Sequence, residues 1–245
     1  MTGGINATHN PVRPSAHAQV AANHESDTTK HFLFLHTWDV LEPRAHADDE
    51  YLLGPDLLVA PVVTGATTRR AVHVPPGRWI GWWDGAMVDG PQDLDVPAPY
   101  GKPPLYARAG AVLPLLPDGI DTLADATDPS VVTAAQATTV EARAWIRGSA
   151  QASYLDGSTL VIDDESAGIR LRFTPGARAA NVLVVADLRS RSGKVATLTR
   201  ALVSGAELPR LSSEGEVRGA TTSAYFLDAS TLVLRLAGAA DARVE

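Results

Sequence analysis

The sequence predicts an all-β chain built as two tandem antiparallel β-sandwiches. Short apolar or alternating runs recur along its second half at the roughly 8–12-residue spacing of a sandwich. Turn signals at Gly157-Ser158, Pro175-Gly176 and Asp228-Ala229-Ser230 separate the runs. No long segment keeps an apolar period of 3.6, so no sustained helix is expected.

The first 30 residues are rich in Ala, His, Asn, Ser and Thr, carry Pro11 and Pro14, and show no hydrophobic periodicity. They read as a disordered leader. The Asn6-Ala7-Thr8 sequon and the scattered His9, His17 and His24 read as parts of a solvated tail. Residues 32–35 form a short apolar strand candidate. Residues 51–63 follow, and Pro55 and Pro61 forbid a helix through them. Ala71-Val72-His73-Val74 runs into Pro75-Pro76-Gly77, which reads as a rigid turn.

The aromatic run Arg78-Trp79-Ile80-Gly81-Trp82-Trp83 is closed by the tight-turn dipeptide Asp84-Gly85. Residues 86–88, 93–96 and 105–109 are further strand candidates. Residues 111–116 are apolar, but Pro114 and Pro117 mark them as an edge or terminal piece. Residues 117–135 are acidic and turn-rich, which makes them the best domain boundary. Beyond them, strands are expected at 138–146, 152–155, 159–162, 168–173, 181–186, 195–203, 224–227 and 231–236. The division expected is a leader at 1–30, a short segment at 31–50, a proximal sandwich at 51–135 and a distal sandwich at 136–245.

Composition narrows the function. The 245 residues are 45% hydrophobic and 20% charged, with no apolar run approaching a membrane span. A net charge of −7 argues against a nucleic-acid surface, which needs clustered Lys and Arg. The absence of cysteine excludes disulfides, thiolate metal sites and a cysteine nucleophile. The N-terminus has neither a basic n-region nor an apolar h-region, so no signal peptide is expected.

Four ordered blocks carry a family resemblance. They are Tyr51-Leu52-Leu53-Gly54-Pro55-Asp56-Leu57-Leu58-Val59-Ala60-Pro61-Val62, then Val72-His73-Val74-Pro75-Pro76-Gly77-Arg78-Trp79, then Trp83-Asp84-Gly85, and finally Pro104-Leu105-Tyr106-Ala107-Arg108-Ala109-Gly110-Ala111-Val112-Leu113-Pro114-Leu115. In order and spacing they resemble the region that follows the catalytic barrel in family 31 glycoside hydrolases of the α-glucosidase type. The resemblance implies that residues 31–50 are a remnant of the barrel's last strand and exit loop. Residues 136–245 are similar to that family's distal sandwich only in pattern. Within the blocks, Gly54 and Gly110 are expected where the chain needs positive φ or a close backbone approach. Of Trp79, Trp82 and Trp83, at least one is expected to anchor the core.

The chemistry of a retaining glycosidase needs two carboxyl groups roughly 5–5.5 Å apart. The resemblance places both on a barrel that needs about 250 residues, and only 50 residues precede Tyr51. The chain is therefore expected to be a non-catalytic accessory region. No catalytic, cofactor-binding or metal-binding residue is assigned.

Several decoys are set aside. Trp38-Asp39-Val40-Leu41-Glu42 is similar to the family's nucleophile motif but has the wrong spacing. The acidic triplets Asp48-Asp49-Glu50 and Asp163-Asp164-Glu165 lack the alternating spacing of a Ca²⁺ loop and read as solvated turns. His36 and His46 lack the context of metal ligands. No G-x-S-x-G elbow is present, and Asp156-Gly157-Ser158 reads as a hairpin turn.

The expected partner is the catalytic barrel, or a second copy of the chain, through an apolar surface at Phe32, Phe34, Tyr51 and Leu53. The alternative is a standalone carbohydrate-binding module in which an exposed ring, such as Trp82 or Trp145, stacks on sugar.

Overall fold

The structure of the protein is a computed structural model that describes residues 35–36, 50–65, 67–122, 126–191 and 198–245. The leader, the sequon, the three scattered histidines, Phe32, Phe34, the Trp38–Glu42 run, His46, Asp48 and Asp49 lie outside the described residues. The all-β expectation holds. Among the described residues there are seventeen strands and a single short α-helix.

The chain divides into two compact units. The first comprises Met1–Pro76, Gly81–Asp84 and Asp89–Tyr106; the second comprises Gly77–Ile80, Gly85–Val88 and Ala107–Glu245.

One six-stranded sheet has most of its residues in the first unit. Its strands are β1 (Leu35–His36), β2 (Tyr51–Leu53), β3 (Leu57–Val59), β4 (Arg69–Gly81), β5 (Met87–Pro97) and β6 (Leu105–Arg108). They lie in the order β1-β2-β3-β6-β4-β5. Strands β2 and β3 form a tight hairpin with Tyr51 opposite Val59. Gly54 turns it at φ 63°, a conformation a Cβ would strain, as the sequence led us to expect. Leu52, Leu58, Val72 and Val74 are buried and form the apolar face, in step with the period-2 alternation of their strands.

One expectation fails here. Pro75-Pro76-Gly77 makes no turn, and β4 runs straight through it for thirteen residues. The fixed φ of proline, near −65°, is compatible with extended backbone, so two prolines can sit within a strand without reversing it. On the neighbouring β5, Gly90 passes against the carbonyls of Val74 and Pro75, where a Cβ would collide with backbone. The sheet thus absorbs the prolines by pairing them with a residue that has no side chain.

The second unit is a two-sheet sandwich. One sheet contains β9 (Ser149–Ser153), β10 (Thr159–Glu165), β11 (Gly168–Thr174), β13 (Ala201–Val203), β14 (Ala206–Glu207) and β17 (Ala240–Val244). Their order is β14-β13-β17-β11-β10-β9. The other contains β7 (Val112–Leu115), β8 (Thr139–Trp145), β12 (Asn181–Asp187), β15 (Ala224–Leu227) and β16 (Thr231–Ala237), in the order β15-β16-β12-β8-β7.

Strand β7 ends its sheet, with Pro114 opposite Ala142, where a residue lacking an N–H is tolerated. It pairs with β8 in antiparallel fashion. Among the described residues, the strand-to-strand pairings of this unit are antiparallel except β8 with β12, which run parallel. The chain between these two crosses to the opposite sheet as β9, β10 and β11, and so returns in the same direction.

A single core fills the space between the sheets. Leu160, Ile162, Leu171 and Phe173 face it from one side, and Val182, Val184, Leu232 and Leu234 from the other. The outer face of β12 and β16 is covered by α1 (Glu214–Gly219), whose Val217 is fully buried against Leu183 and Val233. That helix starts at Ser213, whose hydroxyl accepts a hydrogen bond from the Glu216 N–H, while the Glu216 carboxylate accepts from the Ser212 N–H. This pairing is worth about 1 kcal/mol.

Candidate functional surface

In the first unit, Glu50 is a buried carboxylate that both accepts from the His73 N–H and lies 3.8 Å from the buried Arg70 guanidinium. In the second, Arg218 of α1 forks onto Glu141 of β8 at 2.9 and 3.0 Å. It also bonds Glu214 at 2.8 Å. These bonds to Glu141, opposed by partial burial, raise the Arg218 pKa above the ordinary guanidinium value. The third buried carboxylate, Asp164 on β10, meets Arg191 at 2.8 Å, with both side chains about 95% covered. Each of these acids therefore faces an arginine.

This corrects the expectation of a solvated turn at Asp163-Asp164-Glu165. Asp163 pairs with Arg172 at 2.8 Å and accepts from the Ser149 hydroxyl, and Asp164 is interior. Among the described residues no group of three or more His, Asp or Glu side chains is arranged to hold a metal ion.

Asp156-Gly157-Ser158 is a hairpin turn, as expected, and Asp156 is its organiser. Its carboxylate accepts from the N–H groups of Ser158, Arg178 and Ala179 and from the Ser158 hydroxyl. Partial burial works against ionisation, but these bonds outweigh it and hold the Asp156 pKa below the usual carboxylate value.

The tryptophans divide sharply. Trp79 and Trp145 are fully buried, each beneath an arginine, with Arg108 4.3 Å and Arg143 5.3 Å from the respective ring centres. Trp145 is thus excluded as a sugar-stacking ring. Trp82 is half-buried, and its N–H donates to the Leu105 carbonyl at 2.9 Å. Trp83 is 49% exposed, and its indole N–H donates to the Pro103 carbonyl at 2.7 Å. The sequence pointed to Trp82; the ring in solvent is its neighbour. The imperfect alternation of 79, 82 and 83 was the available signal, since a strand that ends at Gly81 puts the next two residues in a turn.

Gly85, which closes the Trp-Asp-Gly turn, has φ 66° and lies against the Arg189 guanidinium. Arg189 in turn is held by Asp187. Gly110 has φ 95° and passes close to the Arg147 carbonyl, so both readings of that glycine hold. Tyr51 and Leu53, expected on an apolar docking surface, are half-buried.

Residues 28–113 match the glycosyl hydrolase family 31 C-terminal domain. Those residues are a family 31 C-terminal domain. The four blocks quoted above lie almost wholly inside the match.

Curated relatives agree. The chain is 40% identical over 79 residues to a sulfoquinovosidase of Agrobacterium fabrum, covering 31% of this chain and 12% of the relative. It is 34% identical over 67 residues to alpha-glucosidase 2 of Bacillus thermoamyloliquefaciens, covering 27% and 8%. An alpha-xylosidase of Saccharolobus solfataricus is 36% identical over 70 residues, covering 28% and 10%. The chain thus aligns with about a tenth of the length of the curated relatives it matches.

Beyond the family 31 domain, likeness is of fold. The cycloalternan-forming enzyme of Listeria monocytogenes superposes with a TM-score of 0.67 at 22% identity, over 93% of this chain and 22% of the other. A family 31 dextranase of Flavobacterium johnsoniae gives 0.61 at 15%, over 80% and 26%.

Proposed function

We propose that this chain is the accessory β-sandwich region of a family 31 glycoside hydrolase of the α-glucosidase type. Its role is to support a catalytic barrel that is not among these 245 residues. The reading is carried by the match of residues 28–113 to the C-terminal domain of that family. The charge arrangement supports it as well. Retaining glycosidases set two carboxyl groups against each other, whereas the buried Glu50, Glu141 and Asp164 each face an arginine.

The barrel would be held through apolar surface that includes Tyr51 and Leu53, and through Phe32 and Phe34 upstream. Without it, that surface would favour association of the chain with itself.

Two measurements test the proposal. The purified chain should release no nitrophenol from a nitrophenyl α-glucoside above the buffer rate. Co-expression with a family 31 barrel lacking its own C-terminal region should raise the soluble yield of that barrel. Turnover by the chain alone that a single Asp or Glu substitution abolishes, or a barrel indifferent to the chain, would overturn it.

A further inference from the structure

Two exposed aromatic residues of the first unit, Trp83 and Tyr100, lie outside the buried core. Trp83 leaves about half of its surface in water, yet its polar edge is fixed by the 2.7 Å bond from Nε1 to the Pro103 carbonyl. A ring held by its edge cannot swing inward to bury its open face. Two residues before Pro103, Gly101 turns the chain at φ 78°, and the Lys102 N–H closes the turn onto the Pro99 carbonyl at 3.0 Å. The tip of that turn is Tyr100, which is fully exposed.

The segment that carries both contacts is itself rigid. Pro103 and Pro104 have fixed φ, the Pro104 carbonyl accepts from the Ala60 N–H at 3.0 Å, and the Leu105 carbonyl accepts from the Trp82 N–H at 2.9 Å. The three-residue spacing keeps Tyr100 within roughly 10 Å of the Pro103 backbone on which Trp83 rests. Lys102, exposed and two residues after Tyr100 in the same turn, adds an ammonium to this segment.

Size decides what this surface can hold. A stable protein interface needs about 800 Å² from each partner, and an aromatic side chain presents only about 150–250 Å² in all. Two rings fall far short of a protein footprint but match the face of one or two sugar rings. Rigid aromatic area with adjacent hydrogen-bonding groups binds at low entropic cost.

We infer that Trp83 and Tyr100 form a glycan-stacking platform for a neutral α-glucan, with the Lys102 ammonium bonding to sugar hydroxyls. The choice of an α-glucan rests on the family reading; the platform does not.

The test is native gel electrophoresis of the 245-residue chain in gels containing dextran, soluble starch or no polysaccharide. Wild-type chain should be retarded by at least one α-glucan. Trp83→Ala should lose at least tenfold in affinity, and Tyr100→Ala should lose several-fold. Because Tyr100 lies wholly in solvent, its substitution cannot unfold the chain, so its result stands even if Trp83→Ala proves unstable by circular dichroism. No retardation of the wild type, or retardation equal in wild type and Tyr100→Ala, overturns the inference. Either result leaves the accessory reading standing, because that reading is tested by barrel yield.

Discussion

Arg218, near the end of α1, donates to both carboxylate oxygens of Glu141 on β8, at 2.9 and 3.0 Å, and so clamps the short helix onto the sheet beneath it. Glu141 is buried while Arg218 is partly open to water, so the two ends of this pair differ in what their loss would cost. Glu141→Ala is expected to destabilise the chain by about 2 kcal/mol. Arg218→Ala, which strands a buried carboxylate, should cost more, about 3 kcal/mol. Urea unfolding of the two variants and their double mutant measures this. Additive losses would show that the pair is not coupled.

Asp156 makes the stability depend on pH. Its folded pKa lies below the ordinary value of 3.8, so its contribution is complete above that value and is lost as the pH falls through the folded one. Asp156→Asn should therefore lower Tm clearly at pH 7. The gap to wild type should narrow as the pH drops below about 4. A gap that stays constant from pH 7 to pH 2 would mean that ionisation is irrelevant to this turn.

Two glycines should respond differently to Ala. At Gly85 the obstacle is the flexible end of Arg189, with positive-φ strain of about 1–2 kcal/mol. At Gly168 the obstacle is the Val244 carbonyl, which belongs to a paired strand and cannot move alone. Gly168→Ala should therefore be the more damaging. Removing the side chain at Arg189 should relieve part of the cost of Gly85→Ala but none of that of Gly168→Ala. Thermal melts of the four variants decide the point.

In the core, Leu171→Ala should cost about 3 kcal/mol, since the residue is fully buried between the sheets. Leu155, 57% exposed on a turn, should tolerate Ala within about 0.5 kcal/mol. Equal losses at the two sites would contradict the sandwich packing.

Much of the second unit was legible from turn chemistry. The runs expected at 168–173, 181–186, 224–227 and 231–236 became β11, β12, β15 and β16 with ends shifted by at most one residue. Asp and Gly at the turn positions specify the chain reversal locally. What stayed hidden depended on partners distant in sequence. Strand β4 crosses two prolines because Gly90 lies opposite them, and β17 has too little apolar character to announce itself. Helix α1 did leave a signal in Ser213 followed three residues later by Glu216, but six residues are too few for periodicity to register. The exposed ring was misplaced by one position, because accessibility beyond Gly81 follows from where the strand stops.

The seat of β17 between β11 and β13 bears on how the protein is made. Residues 201–203 and 168–174 cannot be bridged until residues 240–244 have emerged from the ribosome. Until then a nascent chain carries two open strand edges, the kind of surface on which unfinished polypeptides recruit one another. The sandwich is thus open to aggregation until β17 is available, and slowing translation between residues 203 and 240 would lengthen that window.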